Sequence, residues 1–199
     1  SMSFTLVAFD QIVNMAANLR YMSGGQISVP MVIRAPTGAG VQLGATHSQS
    51  FETWLAEVPG MKVVCPSTPY DALGLMRSAI KDDNPVLVAE PALLYGAKGE
   101  VPDEYYEIEI GKADVTREGS DITLVSYGYG MRPVNDAAGT LEGRGVSVEV
   151  IDLRSLAPID MDAIVASVKK TNRVVVVDNA RRRGGVMAEV TADLQQAAS

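Results

Sequence analysis

Short apolar runs rich in Val alternate along this chain with segments whose apolar residues recur every three or four positions. That rhythm restricts the fold more than any single residue does. Met61 to Cys65 predicts a buried strand, after which Ser67 or Thr68 caps a helix with Pro69 in its first turn and Asp71 near its positive end. This helix is expected to carry Leu73, Met76, Ala79 and Ile80 on one face. Asp82-Asp83-Asn84-Pro85 is a polar turn, and Val86 to Ala89 is a second strand. The rhythm resumes with strand Ile122 to Tyr127, helix Arg132 to Glu142, strand Val146 to Ile151, helix Met161 to Lys169, strand Val174 to Val177 and a last helix from about Gly185 to Gln196. Strands alternating with helices imply parallel sheets covered on both faces, an α/β fold. Gly96 to Ser120 is charged and lacks such periodicity. The expected division is therefore a unit over 1–95, an extended linker over 96–120 with a strand at Tyr106 to Ile110, and a unit over 121–199.

Ahead of the first repeat, Phe4 to Tyr21 reads as a helix with a broad apolar stripe, stopped by Ser23-Gly24-Gly25. Ser1-Met2 reads as the remnant of a tag and is set aside. The stretch Pro30 to Ser50 is the most suggestive for function. The β-type run Met31-Val32-Ile33 feeds a loop carrying Gly38, Gly40 and Gly44, closes on His47, the one histidine, and continues into Ser48, a helix-cap residue. Open α/β sheets bind ligands beyond the carboxyl ends of their strands. A side chain that titrates near neutral pH therefore stands where such a sheet does chemistry; a hydrogen-bonded loop residue is the plainer alternative.

Composition narrows the possibilities. An apolar fraction of 47% with 21% charged residues suits a folded protein with a core, and a net charge of −7 argues against nucleic acid or an anionic membrane as partner. Cys65 is the one cysteine, so no internal disulfide forms; its apolar run marks it as a small buried hydrophobe. No apolar run is long enough to span a bilayer as a helix.

Several familiar motifs fail on spacing. The Gly38-Ala39-Gly40…Gly44 loop is neither a dinucleotide fingerprint nor a phosphate loop, which would end in Gly-Lys-Ser/Thr. Ser48 and Ser50 lack a Gly-x-Ser-x-Gly elbow, which argues against a serine hydrolase. A single histidine argues against a histidine-ligated metal. The helix end and turn from Ala79 to Asn84 is either a plain polar turn or an oxygen site for a hard cation. Arg181-Arg182-Arg183 either binds an anion or a partner carboxylate, or is a solvated loop.

Longer segments carry a resemblance. FDQIVNMAANLRYMSGGQ (9–26), VPMVIRAPTGAGVQLGATHSQS (29–50), VPGMKVVCPSTPYDALGLMRSAIKDDNPV (58–86), EPALLYGAKGEVP (90–102), EVIDLRSLAPID (149–160) and VVVVDNARRRGG (174–185) follow one another in the order of one family. The chain resembles the β subunits of thiamine-dependent E1 components of 2-oxoacid dehydrogenase complexes, in the pyruvate dehydrogenase group. The resemblance implies a pyrimidine-binding, parallel-sheet domain before the linker and a transketolase C-terminal-type domain after it, each incomplete. It also implies thiamine diphosphate as cofactor, shared with an E1 α subunit that supplies the divalent-metal site.

Carried over by motif, Phe4 stands where the family places an aromatic ring against the aminopyrimidine. His47 matches the histidine of its HSQ motif, which implies that it hydrogen-bonds to the substrate-derived intermediate or exchanges a proton with it. Met31, Ala79, Ile80, Asp82 and Asn84 match positions that hold a structural potassium ion in some members, largely through carbonyl oxygens. The family's glutamate for the pyrimidine ring nitrogen lies in a stretch ahead of Phe4 with no counterpart here, and its C-terminal tail extends beyond Ser199. The resemblance thus implies a truncated β subunit, inactive alone. Its parent oxidatively decarboxylates pyruvate and acylates lipoyl-E2, with an α subunit, a second β subunit and the E2 core as partners. The compartment implied is the cytoplasm of a bacterium, or the mitochondrial or plastid matrix of a eukaryote. An acetoin or branched-chain 2-oxoacid complex, and a non-catalytic assembly module built on the apolar N-terminal helix, are the alternatives.

Overall fold

A computed structural model describes residues 1–38 and 40–197. Ala39, within the glycine loop, and Ala198 and Ser199 lie outside the described residues. The chain begins as one helical stretch that changes pitch: 3-10 over Met2–Ala8, a π turn over Gln11–Ala16, then α1 (Ala17–Met22). Met2, set aside from sequence, is instead fully buried in the main core. Strand β1 (Val32–Thr37) leads to α2 (Glu52–Ala56), β2 (Lys62–Val64), α3 (Pro69–Lys81) and β3 (Val86–Pro91). Thr68 caps α3, its Oγ1 accepting the Asp71 amide at 3.0 Å, with Pro69 at the first position. The buried face of α3 is Asp71, Gly74, Leu75 and Ala79, whereas Ile80 faces out at 64% exposure.

The second half contains β4 (Asp114–Arg117), β5 (Ile122–Ser126), α4 (Met131–Glu142), β6 (Val148–Asp152), β7 (Ser155–Ala157), α5 (Met161–Thr171), β8 (Val174–Val176) and α6 (Val186–Ala197). Two four-stranded sheets result, in the orders β1-β3-β2-β7 and β4-β6-β5-β8. In the first, β1 and β2 run parallel to β3, and β7 closes antiparallel on β2. In the second, β6 and β8 run parallel to β5, with β4 antiparallel on β6. Both sheets are thus mixed, and β7 crosses from the second half into the first sheet.

Tyr106 to Ile110 forms no strand; the segment lies against α3 instead. Gly74 leaves room for Ile108 and Tyr106, Ser78 donates to the Ile108 carbonyl, and the Tyr70 and Tyr106 rings stack with centroids 4.5 Å apart. One core joins the halves: Leu55, Val63 and Leu87 from the first pack with Val125, Ile151, Leu153, Ile164 and Val190 from the second. Smaller clusters sit under α3 and under α4. An ion-pair cluster ties the same junction. Arg154 Nη2 donates to Asp114 at 2.8 Å and Nε lies 2.7 Å from Asp71, while Ser67 donates to buried Asp152.

Candidate active-site loop at the end of the first sheet

β1 ends at Thr37, and the chain leaves the sheet's carboxyl edge as a loop that returns at α2. The arms of this loop touch through backbone. A Cβ at Gly38 would lie 2.9 Å from the Cα of Ser48, so only glycine fits there. Ser48 does not cap α2, whose N-terminal residue Phe51 makes no side-chain cap; its Oγ accepts the Leu43 amide at 2.8 Å and braces the loop from inside.

His47 is exposed near the loop tip. The fold brings Phe4 to it: the ring centroids are 5.5 Å apart, tilted by 36°. Phe4 is 63% exposed and borders an apolar groove of about 650 Å3 lined by Ala8, Ile12, Met15, Ile33 and Pro36. An open groove beside an aromatic ring and a histidine suits one flat heteroaromatic ring. No carboxylate lines the groove among the described residues, and these include no cluster of metal-ligating side chains. The aromatic and apolar residues present therefore fit the pyrimidine half of thiamine diphosphate, while the one cationic side chain of the groove lining among the described residues, Arg34, is paired with Glu90.

Behind the loop lies a polar cluster that sequence reasoning missed. Thr37 Oγ1 donates to Glu52 Oε2 at 2.6 Å, and Glu52 is only 3% exposed. From the second half, the Tyr127 hydroxyl donates to Asp178 at 2.9 Å. A cavity of about 20 Å3, room for one water, lies between Glu52, Thr37, Cys65, Tyr127 and Asn179. Burial raises the Glu52 pKa, the Thr37 hydrogen bond opposes it, and the Asp178 charge adds to the rise. Burial and the nearby Glu52 and Asp178 carboxylates likewise push the Cys65 thiol and the Tyr127 phenol up, so both stay neutral. Arg181, the first residue of the arginine run, donates to Gln49 and so braces the loop from the second half. The one sequence signal for Glu52 is its place between Phe51 and Leu55, two core residues.

The five residues matched to a potassium site gather at one corner. The Met31 carbonyl accepts from Val86 at 2.9 Å, and Val29 donates to the Asp83 carbonyl at 2.9 Å, which holds the approach to β1 against the α3–β3 turn. Asn84 donates twice to Asp82, whose other oxygen pairs with Lys62. Burial opposes ionisation of Asp82, but Lys62 and Asn84 outweigh it and hold the carboxyl below its usual range. The Asp82 carboxylate is thus committed, and main-chain carbonyls are what the corner has to offer a cation.

Comparison with known proteins agrees with this architecture. Residues 2–98 match the family described as transketolase, pyrimidine binding domain, and residues 111–199 match transketolase, C-terminal domain. The chain is 46% identical over 195 residues to the acetoin:2,6-dichlorophenolindophenol oxidoreductase subunit beta of Cupriavidus necator, covering 98% of this chain and 58% of that protein. It is 47% identical over 196 residues to the pyruvate dehydrogenase E1 component subunit beta of Porphyra purpurea, covering 98% and 59%. The corresponding subunit of Bacillus subtilis is 45% identical over 196 residues, with 98% and 60% covered. The chain thus spans about 58–60% of the length of these relatives. The fold matches a split gene transketolase, inactive beta4 tetramer, with a TM-score of 0.78 at 25% identity, covering 95% of this chain and 58% of that one. With one match on each half, the chain belongs to the transketolase-type family, as a pyrimidine-binding domain followed by a C-terminal domain.

Proposed function

We propose that this chain is the core of an E1 β subunit that supplies the pyrimidine side of a thiamine diphosphate site for 2-oxoacid decarboxylation. The placement of Phe4 beside His47 at the mouth of an apolar groove carries this reading. Bound thiamine diphosphate supplies the carbanion chemistry. Phe4 would present a ring face to the aminopyrimidine, and His47 would give or take a proton at an imidazole nitrogen. The groove leaves the pyrimidine ring nitrogen without a carboxylate, and the diphosphate without a metal site, among the described residues. A carboxylate beyond these residues and an α subunit complete the site, so residues 1–199 alone do not turn over. Pyruvate is the 2-oxoacid of this reading; cleavage of acetoin, which has no carboxyl group to lose, is the alternative, since relatives of both names match equally well. A second β subunit and a lipoyl-bearing E2 follow as partners, and a potassium ion on the carbonyls of Met31, Ala79, Ile80, Asp82 and Asn84 as a structural ligand.

The test is decarboxylation by this chain within its full reading frame, with and without an E1 α subunit. Turnover that needs the α subunit and thiamine diphosphate supports the reading; turnover by residues 1–199 alone overturns it. A second reading, a self-associating assembly module, is favoured by the exposure of Phe4, Val7, Tyr21 and Met22 along the first helical stretch and by the unpaired edge of β1. The similar split gene transketolase, described as an inactive beta4 tetramer, is a precedent. A monomer by light scattering at every concentration tested counts against it.

A further inference from the structure

Thr37 is the last residue of β1 and Glu52 the first of α2, so their 2.6 Å hydrogen bond joins the two ends of the loop that carries His47. Between them the loop is cross-braced at Gly38 against Ser48 and at Leu43 to Ser48. We propose that Glu52 is a positioning residue: with Thr37 it clamps the ends of the loop and so fixes His47 against Phe4. The proposal takes its catalytic meaning from the role given to His47 above, but it stands on contacts within this chain.

Glu52 is buried where the first sheet meets the second half. Facing it are Thr37 from β1, Cys65 beyond β2, Tyr127 beyond β5, and the Asp178 carboxylate of the loop after β8. No lysine or arginine lines the cavity among the described residues. Arg181, the cation in contact with the loop, is exposed and turned to Gln49. The amide of Glu52 itself, at the start of α2, favours the ionised form, but burial outweighs it. A carboxylate here would be buried, close to a second negative charge, and without a cation to balance it.

Because His47 is the one histidine, its ring proton gives one unobscured NMR signal, and the test can be run on the chain as it is. In the wild type this signal should carry the ring-current shift of the Phe4 ring beside it, with the loop amides protected from exchange. Glu52→Gln keeps an acceptor for Thr37, so it should keep the loop protected and the His47 signal in place. Glu52→Ala and Thr37→Val should each lose at least tenfold protection in the loop while the amides of β3 keep theirs. Should Glu52→Ala unfold the chain, shown by loss of β3 protection, Thr37→Val carries the test alone. A fully protected loop in Thr37→Val, or in a folded Glu52→Ala, overturns the proposal. A normal clamp in an assembly that lacks decarboxylase activity would overturn the proposed function and leave the clamp standing.

Discussion

Phe4 and His47, from opposite ends of the pyrimidine-binding domain's opening segment, meet with ring centroids 5.5 Å apart at 36°. Both rings are largely exposed, so their mutual contact contributes little to folding. Phe4→Ala should therefore leave the melting temperature within about 2 °C and weaken thiamine diphosphate binding in the α-containing assembly by roughly tenfold, the worth of one aromatic contact. Calorimetry and a cofactor titration on the same variant check both halves.

Asp152 gives the fold a pH dependence of known sign. Burial is the main cause that raises its pKa to about 7, with Ser67 and the Arg154 amide pulling the other way. An aspartate in the unfolded chain titrates near 4. The folded state thus holds the proton more tightly, and stability falls as pH rises from about 4 through about 7, then levels. A shift of this size corresponds to up to about 4 kcal/mol between those limits. Urea midpoints should be higher at pH 5 than at pH 8, and Asp152→Asn, which keeps one acceptor oxygen and removes the titrating proton, should flatten the difference.

Gly60 holds the first helical stretch to the body. Its φ is +90°, and a Cβ there would lie 2.1 Å from the Ala17 carbonyl oxygen. Gly60→Ala should cost more than about 2 kcal/mol, combining left-handed strain with a backbone collision. Proteolysis should then clip the segment ahead of β1 first.

Potassium should stabilise the chain more than sodium if carbonyls from Met31 and the α3–β3 turn bind it. Tenfold saturation corresponds to about 1.4 kcal/mol. Melting curves in equimolar KCl and NaCl test this, and coincident curves exclude the site.

The strand and helix rhythm was legible because most strands are short apolar runs, and Thr68-Pro69 announces α3 directly, whereas β4, Asp-Val-Thr-Arg within the expected linker, gave no such signal. What escaped depends on contacts distant in sequence. The pairing of β7 with β2 joins residues 155–157 to 63–64, and no local pattern specifies it. Tyr106 to Ile110 alternates like a strand, yet finds its partner in α3 through Gly74 and Ser78. Ile80 falls on the expected apolar face but sits one position beyond the buried stripe that ends at Ala79. At the proposed site, His47 and Phe4 were named from the resemblance, and the structure brings their rings together. Glu52 was not, because an acid in the first turn of a helix reads as a partner for the helix dipole rather than as a buried group.

The most direct test of the whole account is steady-state decarboxylation by the α-containing assembly bearing His47→Asn. The account predicts turnover reduced by at least about a hundredfold, the usual contribution of a positioned proton-transfer group, with cofactor affinity within threefold of wild type. Turnover within a few-fold of wild type would show that His47 is a loop residue without a part in the chemistry.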